Sequence, residues 1–285
     1  MKTKIYKNRL SKIIYGDVFN GLELIPKNSI DLIFIDPPYN IGKKFGDFIE
    51  KWNSQEEYIE WCYRWIDGCM EKLKDNGTMY IMTSTEAMPY FDIYIRKKMT
   101  ILSRIVWTYD SSGVQAKKYY GSLYEPILFC VKNKNNYTFN YEDILIDAKT
   151  GSTRKLIDYR GKRPKPYNTQ KVPGNNWYFP RVRYRMAEYE KHPSQKPEKL
   201  LERVIRASSN EGDTVLDPFA GTFTTSAVAT KLKRQSISIE NQEDYLKIGL
   251  RRLDICSEFE GEILEKEFKS YQVKNKDRNL FNVGT

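Results

Sequence analysis

DLIFIDPPYN, residues 31–40, is a short apolar β-prone run that breaks into two successive prolines. Leu32 to Ile35 show no polar alternation, which is the pattern of a strand covered on both faces rather than one half exposed to water. Neither Pro37 nor Pro38 can donate to a ladder, and each restricts the residue before it, so the chain must leave the strand in a stiff turn. That turn gathers the Asp36 carboxylate, the Pro37 carbonyl and the Tyr39 ring around one small volume.

The same grammar recurs along the chain. Residues 10–15 read as a strand, and a short crossover over 18–29 ends in the turn-prone PKNS. From Gln55 to Leu73 the apolar residues Tyr58, Ile59, Cys62, Trp65, Ile66, Cys69 and Leu73 recur at helical spacing. Asn53 or Ser54 is the expected N-cap, and Asn76-Gly77 the end of the unit. A strand over 77–83, a helix near 86–98 and strands over 104–109 and 125–131 follow. Residues 133–191 carry few long apolar runs and many Arg, Pro, Gly, Asn and Tyr residues, and within them 155–185 show no helical or strand period. Beyond them come a helix from Pro197 to Ser208, a buried strand DTVLD (213–217), a helix from Thr222 to Lys233, a strand SISIE (236–240) and a helix from Glu243 to Leu253.

Strands alternating with helices predict an α/β fold, a doubly wound and mostly parallel sheet with helices on both faces. The expected organisation is one half over 1–132, an inserted region over 133–191, a second half over 192–254 and a charged tail over 255–285. Ligands of such sheets bind at the carboxyl edge of the strands, so the motifs at strand ends matter most. In IDPPYN, Asp36 and the Pro37 carbonyl can each accept one hydrogen of an exocyclic amine such as adenine N6. That would draw a poor, delocalised nucleophile towards a pyramidal, more reactive geometry, while Tyr39 offers a face for an extruded base. In LDPFAGTFTT (216–225), Asp217 closes a strand and Ala220-Gly221 let a ligand approach the backbone. The helix start that follows favours a negative group. Glu240 ends the next strand, where nucleotide sites of this architecture place an acid against ribose hydroxyls.

Composition narrows the partners. The chain has 285 residues, 40% hydrophobic and 29% charged, which suits one sizeable core with an added module. A formal charge of +10 favours polyanions through counterion release. No apolar run is long enough to span a bilayer, and no apolar region follows the basic start, so no membrane partner or secretory signal is expected. The four cysteines lack CxxC spacing and read as thiols of a reducing cytoplasm, with no metal site.

DPPYN, HPSQKPEKLLERVI (192–205) and LDPFAGTFTT, in that order, resemble the β-class amino-methyltransferases of DNA over about residues 10 to 254. The resemblance implies the class I S-adenosylmethionine-dependent methyltransferase fold in a circularly permuted motif order, acceptor motif before cofactor motif. It also implies a cytoplasmic enzyme that methylates adenine N6 at specific sites in double-stranded DNA. By the same resemblance Asp36, Pro37, Pro38 and Tyr39 form the catalytic loop, with Asp36 also facing the cofactor. Asp17 and Val18 would lie near the cofactor adenine, Asp217, Phe219, Ala220, Gly221, Thr222 and Thr224 around the cofactor, and Glu240 with Asn241 at its ribose. Lys196 and Pro197 would approach its methionine end. The usual pattern, DPFxGSGT, has glycine where this chain has Phe223, a departure shared with a subgroup of orphan adenine methyltransferases. WYFPRVRYRMAEYEKHPSQKP resembles that same subgroup, which includes enzymes that methylate ATGCAT. A homodimer and a cognate restriction endonuclease are partners the resemblance leaves open.

The alternative chemistry is N4-cytosine methylation, whose enzymes more often carry Ser in place of Asp36; a catalytically inactive DNA-binding relative is the other. C5-cytosine methylation needs a Pro-Cys nucleophile, and the chain has no such dipeptide. Residues 154–191 hold eleven Lys or Arg against three acids and are the expected target-recognition element. Arg154, Lys162, Arg163, Lys165, Arg181, Arg183 and Arg185 are its candidate DNA contacts, Arg suited to guanine and Lys to phosphate. The single histidine, His192, is expected to anchor a loop, and Trp61, Trp65, Trp107, Cys62 and Cys69 to fill the core.

Overall fold

The computed structural model describes residues 3–42, 44–45, 48–49, 51–110, 117–149 and 154–266. Nine strands form one sheet: β1 (Lys4–Lys7), β2 (Ser11–Tyr15), β3 (Ile30–Ile35), β4 (Leu73–Met82), β5 (Thr100–Thr108), β6 (Tyr124–Val131), β7 (Asn176–Tyr178), β8 (Thr214–Asp217) and β9 (Gln235–Glu240). Their spatial order is β1-β2-β9-β8-β3-β4-β6-β5-β7. From β2 to β4 every neighbour is parallel; β6 runs against both β4 and β5, β7 runs parallel to β5, and β1 is an antiparallel edge.

Helices α1 (Val18–Glu23), α2 (Gln55–Lys72) and α3 (Met88–Ile95) pack on one face, and α4 (Glu198–Ser208), α5 (Thr224–Lys231) and α6 (Glu243–Arg252) on the other. The quoted strand shows why its apolar run is continuous. Ile33 and Ile35 enter the core under α2, whereas Leu32 and Phe34 enter the core under α4, so successive side chains fill opposite faces. Ser54 caps α2, its side chain accepting from the Glu57 amide at 3.1 Å.

Several boundaries differ from the expectation. After α2 the chain is already extended at Leu73, so Asn76-Gly77 lies inside β4 and not at a break. The third helix is shorter than 86–98, with a proline in its first turn. Helix α5 starts at Thr224 because Phe223 sits in the left-handed region at φ 59°. Within 133–191 part of the chain joins the sheet. Asn140 donates to the Arg206 and Ser209 carbonyls at the end of α4, and β7 extends the sheet with Trp177 buried beside Trp107. Three residues with one buried side chain are too few to show a period. What stands clear of the sheet is a pair of two-residue ladders, Ile146–Asp147 with Gln170–Lys171 and Ile157–Asp158 with Lys165–Pro166. In the tail, Phe259 docks against Tyr6 in a short hairpin; residues 267–285 lie outside the described residues. Cys62, Cys69 and Cys130 are buried free thiols, and Cys256 is a partly exposed one. Among the described residues no helix is long and apolar enough to cross a membrane.

Candidate active site

Four neighbouring parallel strands, β2, β9, β8 and β3, each deliver an acid at the carboxyl edge. Asp17 follows β2 and caps α1, Glu240 ends β9, Asp217 ends β8 and Asp36 follows β3. A cavity of about 430 Å³ opens between them, within the size range of small-molecule sites. Asp17, Val18, Asp36, Pro37, Pro38, Tyr39, Lys196, Asp217, Phe219, Ala220, Gly221, Thr222, Thr224, Glu240 and Asn241 all line it. Pro197 does not; it occupies the N-cap position of α4.

At the β3 end the prolines turn the chain and a buried tyrosine pins it, Tyr58 of α2 donating to the Pro38 carbonyl at 2.8 Å. The Tyr39 hydroxyl donates to Asp36 Oδ1 at 2.7 Å and lies 3.1 Å from Glu125 Oε2. Lys196 Nζ reaches Asp36 Oδ2 at 2.6 Å and Glu125 Oε2 at 3.6 Å. Burial works against the Lys196 charge, but Asp36 and Glu125 outweigh it and hold the ammonium above its usual pKa. Burial, then the same two carboxylates, push the Tyr39 phenol well above its ordinary value. Lys196 is therefore a cation and Tyr39 a neutral donor at neutral pH.

At the β8 and β9 end, Glu240 organises backbone. Its Oε2 accepts the Gly221 amide at 2.7 Å, and its Oε1 accepts the Asn241 and Gln242 amides at 2.9 and 2.8 Å. Gly221 lies at φ 49°, and a Cβ there would come within 3.1 Å of His192 Nε2. The turn is thus cradled against His192, whose Nδ1 accepts the Ser194 amide at 3.1 Å while its ring packs edge-on to Tyr245. Trp52, Trp61 and Phe219 form an aromatic wall of the cavity, with centroids 5.0 and 5.8 Å apart along the series. Trp65 and Trp107 fill the core as expected, but Trp61 faces the cavity.

Burial raises the Asp217 carboxyl from 3.8 to about 7 and Glu240 from 4.5 to about 7, against the hydrogen bonds each accepts. The folded state therefore holds the Asp217 proton more tightly than the unfolded chain does. Stability from this group is complete below about pH 3.8 and is lost as pH rises to about 7. Asp217→Asn is expected to flatten that fall by roughly 2–4 kcal/mol between pH 4 and pH 8. Urea unfolding of both proteins at the two pH values checks it; parallel pH profiles would contradict it.

Of the basic residues, Arg154, Lys162, Arg163 and Lys165 are exposed on or beside the small ladders. Arg181 instead turns inward, 3.5 Å from Glu125 Oε1 and stacked 4.0 Å over the Tyr109 ring. Arg183 pairs with Asp110, and Arg185 lies beside the Tyr184 ring. Reading the sequence missed Glu125, Tyr58 and Trp52, none of which stands in a recognisable motif.

The fold recurs in solved structures. The PvuII DNA methyltransferase, described as cytosine-N4-specific, superposes with a TM-score of 0.65 at 19% identity, covering 87% of each chain. A complex of M1.HpyAVI with S-adenosylmethionine superposes with a TM-score of 0.60 at 23% identity, covering 86% of this chain and 100% of that one. The shared architecture is the class I methyltransferase fold. In sequence, DNA adenine methyltransferase YhdJ of Escherichia coli (strain K12) is 59% identical over 261 residues, 92% of this chain and 88% of that protein. Type II methyltransferase M.HpaI of Haemophilus parainfluenzae is 35% identical over 252 residues, covering 88% and 76%. The DNA methylase family N6_N4_Mtase matches residues 30–251, which takes in both strand-end motifs, Lys196 and Glu125. The chain belongs to the DNA methylase family.

Proposed function

We propose that the protein methylates the N6 amine of an adenine extruded from double-stranded DNA, as a β-class enzyme of the ATGCAT-methylating kind. The observation that supports the reading is that the Asp36–Tyr39 turn lines the same cavity as Glu240, Asp217 and the Gly221 turn. The 59% identity to an enzyme named for adenine favours adenine over cytosine N4. Mass spectrometry of nucleosides from an unmethylated host expressing the gene tests the base, and modified-base sequencing tests the site. N4-methylcytosine without N6-methyladenine would overturn the reading.

The residues present fit S-adenosylmethionine: an aromatic wall suits a purine, the glycine cradle admits a close ligand, and carboxylates suit hydroxyls and a cation. When bound, that cofactor supplies a methyl group activated on a positive sulfur. Asp17, Trp61, Phe219 and Glu240 would hold its adenosine, and Asp217 with the Gly221–Thr224 turn its other end. Asp36 and the Pro37 carbonyl orient the acceptor amine and accept its hydrogens, and Tyr39 stacks the base. Since Glu240 both faces the cavity and fastens Gly221, Glu240→Ala is expected to weaken cofactor binding by about 1–3 kcal/mol. Calorimetry reads this directly, and unchanged affinity would place the ribose elsewhere.

Lys162, Arg163 and Lys165, exposed on the insert, are suited to phosphate contact. Replacing all three with alanine is expected to reduce the slope of log affinity against log salt by roughly one for each phosphate no longer neutralised. A slope equal to that of the parent protein would remove these residues from the interface.

A further inference from the structure

Glu125 lies at the start of β6, the strand inside the sheet that runs against both its neighbours, and it meets both groups that occupy Asp36. Asp36 has its two oxygens engaged, Oδ1 by the Tyr39 hydroxyl at 2.7 Å and Oδ2 by Lys196 Nζ at 2.6 Å. An incoming amine needs that same carboxylate. The Tyr39 hydroxyl has one proton and two carboxylate oxygens within reach, the second being Glu125 Oε2 at 3.1 Å. Lys196 also has Glu125 Oε2 as its alternative anion, at 3.6 Å, and keeps the Ser194 carbonyl at 3.2 Å in either case.

Resting on the proposed function, we infer that Glu125 is a positioning residue that receives the Tyr39 hydroxyl and the Lys196 ammonium as the target base enters, freeing Asp36 to accept the amine. The exchange replaces one carboxylate by another, so a buried ammonium never loses its counter-ion. Without Glu125 the same movement would take Lys196, 7% exposed, off Asp36 with its second contacting carboxylate gone. Arg181 holds the other Glu125 oxygen and so ties the exchange to the basic segment.

The test is Glu125→Gln, near-isosteric and uncharged, assayed on DNA carrying the site found by sequencing. We expect kcat to fall about 10- to 100-fold with KM for DNA and cofactor within about threefold, and Glu125→Asp to recover part of the loss. Base extrusion, read by fluorescence of 2-aminopurine at the target position, should be unchanged, because that base lacks the C6 amine. Most of the penalty should vanish in a Lys196→Gln background, since the ammonium to be received is gone. An unchanged kcat in Glu125→Gln, or an equal loss in both backgrounds, would overturn the inference. A misfolded Glu125→Gln protein shifts the decision to Glu125→Asp. There, a loss confined to kcat that disappears in the Lys196→Gln background supports the inference, and an equal loss in both refutes it. A parent protein that leaves adenine unmethylated would refute the proposed function itself, a separate result.

Discussion

Asp36→Ala is expected to lower methyl transfer at least about 10²-fold while cofactor affinity changes far less. Geometry and charge both lead there. Asp36 stands at the end of β3 with its side chain 18% exposed, and its charge is matched by a nearly buried lysine. Removing it takes away the acceptor that orients the amine, an interaction worth roughly 1.5–3 kcal/mol when charged. It also strips Lys196 of its nearest anion, leaving Glu125 at 3.6 Å. Asp36→Asn keeps the shape and serves as the control for folding. Single-turnover transfer of a labelled methyl group measures the effect, and near-parental turnover in Asp36→Ala would refute the catalytic assignment.

The second large effect is on stability. Phe223 stands where related motifs have glycine, and it keeps the backbone conformation that glycine suits, φ 59°. Its ring is fully buried with Leu246 and Leu250, in a slot that exists because position 249 has no side chain. A Cβ on Gly249 would sit 2.5 Å from that ring. The left-handed conformation costs a residue with a Cβ about 1–2 kcal/mol, and the buried ring offsets it. Phe223→Ala should therefore cost about 3–5 kcal/mol, losing the ring and keeping the strain. Phe223→Gly should cost about 1 kcal/mol less than that, because the strain is relieved. Urea denaturation gives both values, and a glycine variant as stable as the parent would show that the ring contributes nothing net.

This position also marks how far a motif can be read. The pattern around 216–225 located the turn, the strand before it and the helix after it. That a phenylalanine could follow the same path depended on Gly249, in another helix, whose vacancy no local pattern reveals. Trp61 and Trp65 give the same lesson. They lie one turn apart on α2, yet Trp65 is fully buried while Trp61 joins Phe219 and Trp52 at the cavity wall. Helical period assigns a face and not the neighbour that the face will meet.

By itself the sequence determined most of the alternation of strands and helices, the stiff proline turn after β3, and three of the acids: Asp36 after β3, Asp217 at the end of β8 and Glu240 at the end of β9. These are local properties, set by side-chain periodicity and by the dihedral limits of proline and of residues at positive φ. Tertiary structure decided which strands lie side by side and which way each one runs. The order β2-β9-β8-β3 brings together acids up to 223 residues apart in sequence, Asp17 and Glu240 among them. The reversal of β6 carries Glu125 to the carboxyl edge, where a parallel strand would have left it at the opposite end of the sheet. Strand direction is fixed by packing and by the connections on either side, and both directions place side chains on the two faces with the same period of two.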